Sequence, residues 1–167
     1  VPPIATTESQ VLCRRRTGPL SDVSILLVDD DELLRCSFVR LLQRRGAQVR
    51  SFARAEPGLE SAREDPPNLL VVDLELPDMT GFEVAEAMLA DPRTADVPIL
   101  AISGYGDDRT RAAALASGAD AFLAKPCTTE ELEDAVARLA RHRSLERTQP
   151  ELPLDALIQA ILHAARG

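Results

Sequence analysis

Four short apolar runs each end on a residue that could do chemistry. They are Ile25-Leu26-Leu27-Val28 before Asp29 and Asp30, Leu69-Leu70-Val71-Val72 before Asp73, Leu100-Ala101-Ile102 before Ser103, and Ala121-Phe122-Leu123-Ala124 before Lys125. A run of this length bounded by turn residues reads as a buried strand, and open α/β sheets place their chemistry outside the C-terminal ends of their strands. The loop after the first run is Asp29-Asp30-Asp31-Glu32, where a dinucleotide site needs glycines to admit a pyrophosphate. Carboxylates repel phosphate unless a cation intervenes. They suit Mg²⁺, which takes a few carboxylates, waters and a phosphoryl oxygen. Asp31 and Glu32 are assigned to the N-terminus of the first helix, whereas Asp29 and Asp30 come too early to cap. Asp73 reads either as a third metal ligand or as a nucleophile, because an aspartate carboxylate can accept a phosphoryl group. Mg²⁺ held by Asp29, Asp30 and Asp73 would neutralise incoming phosphoryl oxygens. Lys125 would add a point charge and Ser103 a hydroxyl, with Gly104 leaving room for backbone approach.

These groups converge only if the strands lie side by side. Five apolar runs (Ile25–Val28, Val49–Phe52, Leu69–Val72, Val97–Ile102, Ala121–Leu123) alternate with helical patterns. The connections are each about a dozen residues or more, which suits parallel crossovers rather than hairpins. Leu34, Phe38, Leu41 and Leu42 form one helical stripe that stops at Gly46. Gly81–Asp91 carries Phe82, Ala85, Met88 and Leu89. Asp107–Ser117 is Ala-rich and ends at Gly118. Thr128 or Thr129 caps a last helix whose buried face is Leu132, Ala135, Val136 and Leu139. Five strands and five helices in alternation predict a doubly wound α/β sandwich. The strand order 2-1-3-4-5 brings the Asp29 and Asp73 tips together.

The chain has 167 residues, which suggests one domain with extensions. We divide it into an arm or linker over 1–23, a domain over 24–143 and an extension over 144–167. The extension carries an extra amphipathic C-terminal helix (Leu154, Leu157, Ile158, Ile161, Leu162), which packs on its own domain or docks a partner. A net charge of −8 argues against a general nucleic-acid binder, and Arg14-Arg15-Arg16 reads as a solvated cluster. Cys13, Cys36 and Cys127 are too few and too widely spaced for a zinc site or disulfide framework. They read as reduced thiols of a cytoplasmic protein, with Cys127 filling a small core site. No membrane-spanning run or signal peptide is visible. Val1 in place of Met reads as the start of a processed or excised segment.

Residues 24–141 resemble the receiver domain of two-component response regulators. The motifs are Leu-Val-Asp29-Asp30-Asp31, Val-Val-Asp73-Leu-Glu-Leu-Pro-Asp-Met-Thr-Gly81, Ile-Ser103-Gly104 and Gly-Ala-Asp-Ala-Phe122-Leu-Ala-Lys125-Pro126. In this order and spacing they are highly specific. The resemblance implies a flavodoxin-like fold with Asp73 as phosphoacceptor. Asp29, Asp30, Asp73 and the backbone carbonyl of Glu75 would bind Mg²⁺, Ser103 and Lys125 would contact the phosphoryl group, and Ser103 and Phe122 would form the switch. It implies a cis Lys125–Pro126 bond. It implies too that Glu75 and Tyr105 flank the site and tune the lifetime of the acyl phosphate. Thr80 stands where an acidic residue is frequent, and Cys127 where a bulky apolar one is.

The implied mechanism is transfer from the phosphohistidine of a histidine kinase or phosphotransfer protein to Asp73. Ser103 then moves, Phe122 turns inward, and a downstream protein reads the face around 109–116, 121–123 and 129–141. No direct nucleic-acid contact or membrane insertion is expected, and a homodimer is allowed. The chain is expected to be a phosphoacceptor rather than an enzyme, acting alone or as the receiver segment of a hybrid histidine kinase.

Two other classes compete. A haloacid-dehalogenase-like phosphatase would use Asp29 and Asp31, then Ser103, Lys125 and Asp107-Asp108. Its acidic pair would then precede the lysine, the wrong order, and Glu32-Leu33 stands where Gly-Thr is expected. A degenerate receiver acting as a constitutive interaction module is opposed by the intact acidic set. His142 and His163 are lone histidines near helix ends, where favourable charge explains them more simply than relay chemistry.

Overall fold

The computed structural model describes residues 18–148, the side chains of 142–148 excepted. Five parallel strands alternate with five helices: β1 Ser24–Val28, α1 Glu32–Arg44, β2 Gln48–Phe52, α2 Ala55–Glu64, β3 Leu69–Asp73, α3 Gly81–Ala90, β4 Ile99–Ser103, α4 Asp108–Ala116, β5 Ala121–Ala124 and α5 Thr129–Thr148. The sheet order is β2-β1-β3-β4-β5, as the sequence predicts, with every pairing parallel. The order reverses between β1 and β3, which leaves a crevice at their C-terminal tips. Register aligns those tips: Val28 pairs with Val72, and Asp73 with Ile102.

The strands are continuous apolar runs because both faces are covered. One face carries Leu26, Val28, Leu70, Val72, Ile99 and Ala101 against Leu59, Val84, Ala85 and Met88 of α2 and α3. The other carries Ile25, Leu27, Leu69, Val71, Leu100 and Ile102 against Phe38 and Leu42 of α1 and Leu132, Val136 and Leu139 of α5. Edge strand β2 is the exception, with no fully buried residue.

Helix ends follow local chemistry. Asp31 caps α1, its Oδ1 accepting from the N–H groups of Leu33 and Leu34 at 2.9 and 3.0 Å, which agrees with its assignment from sequence. Gly46, at φ +100°, ends that helix in a conformation that L side chains avoid. Asp107 caps α4 through Thr110 N–H at 2.8 Å.

Several details differ from the sequence reading. The packed body begins before Ser24, because Leu20 is 2% exposed and belongs to the core. Helix α5 runs on to Thr148, so His142 stands inside a helix rather than at its end. On α3, Val84 is buried while Leu89 is 47% exposed. Arg14–Arg16, Cys13, His163 and the amphipathic pattern from Leu154 to Leu162 lie outside the described residues. Among the described residues no helix is long and apolar enough to cross a membrane.

Candidate functional site

The three predicted carboxylates meet at the crevice. Asp29, Asp30 and Asp73 each offer an oxygen, and these oxygens lie within 4.8 Å of one another. Asp29 and Asp73 are buried, at 1% and 4% exposure, while Asp30 is exposed on the rim. Lys125 reaches across from the β5 tip. Its Nζ is 2.5 Å from Asp73 Oδ2 and 3.0 Å from Asp29 Oδ2. The pocket therefore joins buried acids, an open acidic rim and one ammonium.

Backbone donors hold the acids in place. Asp29 Oδ1 accepts from Asp31 N–H at 2.9 Å, and Asp73 Oδ1 accepts from Glu75 N–H at 3.0 Å. Arg35 of α1 donates from Nη1 to the backbone oxygen of Asp29 at 2.7 Å. Burial pushes the Asp29 carboxyl above its ordinary range, against the opposing pull of Lys125. Burial alone would lower the Lys125 ammonium, but hydrogen bonds to Asp73 and Asp29 outweigh it and hold the group above its usual value.

Ser103, at the β4 tip, is 1% exposed, and its Oγ accepts from Tyr105 N–H at 3.0 Å. The Ser103 carbonyl accepts from Lys125 N–H at 2.7 Å, so the serine and the lysine share one backbone junction. The Lys125–Pro126 peptide is cis, matching the expectation. Glu75 is exposed and its Oε2 lies beside Gly104. Phe122 is packed inward, 6% exposed, in one core cluster with Ala101 and Ala114. The sequence reading has this ring turning inward only after the Ser103 loop moves. The Arg111 guanidinium of α4 covers the ring at 5.4 Å from its centroid.

The loop after β3 is tightly fitted. Gly81 lies so close to the Asp73 carbonyl and to Leu74 that a β-carbon would collide with both. Thr80 forms a capping box with Glu83 at the start of α3: Glu83 N–H donates to Thr80 Oγ1 at 3.3 Å and Thr80 N–H to Glu83 Oε2 at 2.8 Å. This accounts for a threonine where the resemblance leads one to expect an acid. Thr80→Ala should cost about 1 kcal/mol, a melting-temperature loss of a few degrees by calorimetry, while leaving the pocket's groups in place.

Cys127 is half-buried against the core, and burial raises its thiol. Cys36 is exposed on α1, and both are free.

Arg35, Arg111 and Asp78, the last a carboxylate in the β3–α3 loop, were not singled out from sequence. Each acts through a partner distant in the chain or on a backbone atom, and residue type alone carries no signal of that.

The fold is an open parallel sheet with an acid–acid–ammonium pocket at its switch point. Comparison with known proteins gives the family. The model of the response regulator receiver domain matches residues 25–137, and the chain belongs to that family. The transcriptional regulatory protein AfsQ1 of Streptomyces coelicolor is 34% identical over 125 residues, covering 75% of this chain and 54% of that protein. The photosynthetic apparatus regulatory protein RegA of Cereibacter sphaeroides is 35% identical over 136 residues, covering 81% and 71%. The chain thus spans about half the length of AfsQ1 and about seven-tenths of RegA. Among solved structures, a CheY-like receiver domain protein from Methanospirillum hungatei has a TM-score of 0.68 at 30% identity, covering 74% of this chain and 98% of that one. The receiver domain of the sensor histidine kinase PA1611 of Pseudomonas aeruginosa, with a magnesium ion coordinated in its active-site cleft, has a TM-score of 0.67 at 25% identity, covering 74% and 98%.

Proposed function

We propose that this receiver domain takes up a phosphoryl group on Asp73 from a phosphohistidine-bearing kinase or phosphotransfer protein, in a Mg²⁺-dependent reaction. The observation that carries the reading is the meeting of Asp29, Asp30 and Asp73 oxygens within 4.8 Å, with Lys125 Nζ against two of them. The donor set is all hard oxygen with an open rim, which fits Mg²⁺ and its retained waters. Asp29, Asp30, Asp73 and the Glu75 carbonyl would hold the ion, which when bound would neutralise charge on the phosphoryl oxygens.

The chain's own residues do the rest. Asp73 Oδ attacks phosphorus, a P–O bond forms, and the P–N bond to the donor imidazole breaks with its electron pair leaving on nitrogen. Glu75 N–H orients the attacking carboxylate through Oδ1. Lys125 neutralises the acidic cluster beforehand and afterwards offers its ammonium to a phosphoryl oxygen. The Ser103 hydroxyl sits at the next strand tip, where turning from Tyr105 N–H would bring it to the new dianion. The switch is a population shift between arrangements of Ser103 and Phe122. The inward ring described above is one of those arrangements, and phosphorylation selects it.

The docking face is formed by 109–116, 121–123 and 129–141, and a cytoplasmic site of action follows from the proposed donor. Relatives such as AfsQ1 and RegA are regulatory proteins. We propose that this chain serves the same kind of signalling by protein contact, as a free receiver or within a longer protein. Asp73 makes it a stoichiometric acceptor rather than a turnover phosphatase.

Intact-mass analysis after acetyl phosphate treatment tests this. One phosphoryl group per chain is expected with Mg²⁺ and none with EDTA. Labelling that ignores Mg²⁺, or catalytic release of phosphate from an ester substrate, overturns the reading.

A further inference from the structure

Helix α2 begins without a cap of its own. Its N-cap residue is Arg54, whose side chain makes no capping hydrogen bond. The first amides of a helix need acceptors, and here they come from another part of the chain. Asp78 of the β3–α3 loop accepts from Ala55 N–H through Oδ1 and from Glu56 N–H through Oδ2, each at 3.0 Å. The Asp78 side chain is 4% exposed, with Arg54 Nε 3.7 Å away. A carboxylate at a helix N-terminus is well placed for the helix dipole, and its hydrogen bonds are charge-assisted.

Both ends of this contact lead to the pocket. On one side, Asp78 lies three residues beyond Glu75, whose N–H holds Asp73 Oδ1. That short loop is also closed by Gly81 N–H donating to the Leu74 carbonyl at 3.1 Å. On the other side, α2 bears on the tip of β1. Gly58 sits so close to Val28 that an added β-carbon would lie 2.9 Å from Val28 Cγ2. Just before α2, the Phe52 carbonyl accepts from Asp29 N–H at 3.1 Å. A continuous path therefore runs from Asp73 through Glu75 and Asp78 to the start of α2, and back through Phe52 and Val28 to Asp29.

We propose that Asp78 is a positioning residue for the phosphoacceptor pocket: by capping α2 from the β3–α3 loop, it fixes the spacing between the Asp29 tip and the Asp73–Glu75 tip. It touches neither metal nor phosphoryl group and acts through Ala55, Glu56 and the loop that bears Glu75. The inference rests on the pocket binding Mg²⁺ as proposed above.

The test is a Mg²⁺ titration of the full chain followed by amide NMR shifts. It uses wild type, Asp78→Ala and Asp78→Asn at a temperature where circular dichroism shows all three folded. Asp78→Ala should raise the apparent Mg²⁺ Kd three- to tenfold. It should slow acetyl phosphate labelling by a similar factor at subsaturating Mg²⁺, with most of the rate returning at saturation. Asp78→Asn keeps an acceptor for one of the two amides and should fall between. A melting-temperature loss with an unchanged Mg²⁺ Kd would mean that the cap serves stability alone, and overturns the inference while leaving the pocket assignment intact. Absence of Mg²⁺ binding by wild type overturns the pocket assignment, and the inference with it. Hydrogen exchange on wild type gives a second reading that needs no variant. Mg²⁺ should slow exchange at Ala55 and Glu56, which are not ligands, and unchanged exchange there overturns the coupling.

Discussion

Asp73→Asn is expected to carry no phosphoryl group after exposure to acetyl phosphate and Mg²⁺, under conditions that label wild type stoichiometrically. The substitution keeps the shape of the side chain and removes the nucleophile, because an amide oxygen does not form the acyl phosphate. The fold should survive. Asp73 sits at the end of a fully buried strand, and its Oδ1 and Oδ2 accept from Glu75 N–H and Lys125 Nζ. An asparagine oxygen can keep one of these bonds. Relief of the carboxylate crowding with Asp29 offsets part of the loss of the other. Labelling should fall at least 10²-fold, below detection in an intact-mass spectrum, and Mg²⁺ affinity should drop as one of the three converging carboxylates loses its charge. Undiminished labelling of the variant, or wild-type labelling that maps to Asp29 or Asp30, would sink the assignment.

Lys125→Met should have the largest effect on stability without Mg²⁺, and that effect should depend on pH. The lysine is 20% exposed and is the cation placed between two buried carboxylates. Removing one partner of a fully buried pair costs roughly 3–5 kcal/mol. The open rim at Asp30 admits water, so about 1–3 kcal/mol is expected here. The direction with pH follows from the two groups. Asp29 has its folded-state value raised, so the native state holds more protons than the unfolded one between the ordinary carboxylate value and the raised one. Stability falls as pH climbs through that window, and the penalty is fully present above it. Lys125 is also raised; its contribution is fully present below its unfolded value and is lost as pH rises through the folded one. Without the ammonium, the Asp29 window extends to higher pH. The melting-temperature gap between wild type and Lys125→Met should therefore be wide at alkaline pH and narrow as pH falls through the raised Asp29 window, where protonation of that carboxyl removes the penalty from both. Millimolar Mg²⁺ should close much of the gap by supplying the missing charge. Differential scanning fluorimetry over pH, with and without Mg²⁺, measures this. A gap indifferent to both would show that the lysine contributes only packing.

The sheet and its tips were legible because buried parallel strands are written as unbroken apolar runs. The polar residue that ends each run stands out, so Asp29, Asp73, Ser103 and Lys125 could be read by position. The Asp31 cap and the Gly46 stop were legible for the same local reason. Helix α2 was counted among the five from the alternation alone, since Pro57 and Gly58 look like breakers and mask its own pattern. In the structure Pro57 falls in the first turn, where a missing N–H costs little, and Gly58 lets the helix approach Val28. Apolar character alone does not tell that Leu89 stays 47% exposed while Val84 is buried. The contacts of Arg35, Asp78 and Arg111 are long-range or aimed at backbone atoms, and nothing in a linear pattern marks them.

Tyr105 has a practical bearing on how such experiments can be read. The chain contains one tyrosine and no tryptophan. That tyrosine is 62% exposed, with its own amide bonded to the Ser103 hydroxyl. The molecule thus carries a single native fluorophore on the loop beside the reacting carboxylate. Tyrosine emission therefore comes from one place alone, and its changes can be followed in real time without attaching a dye.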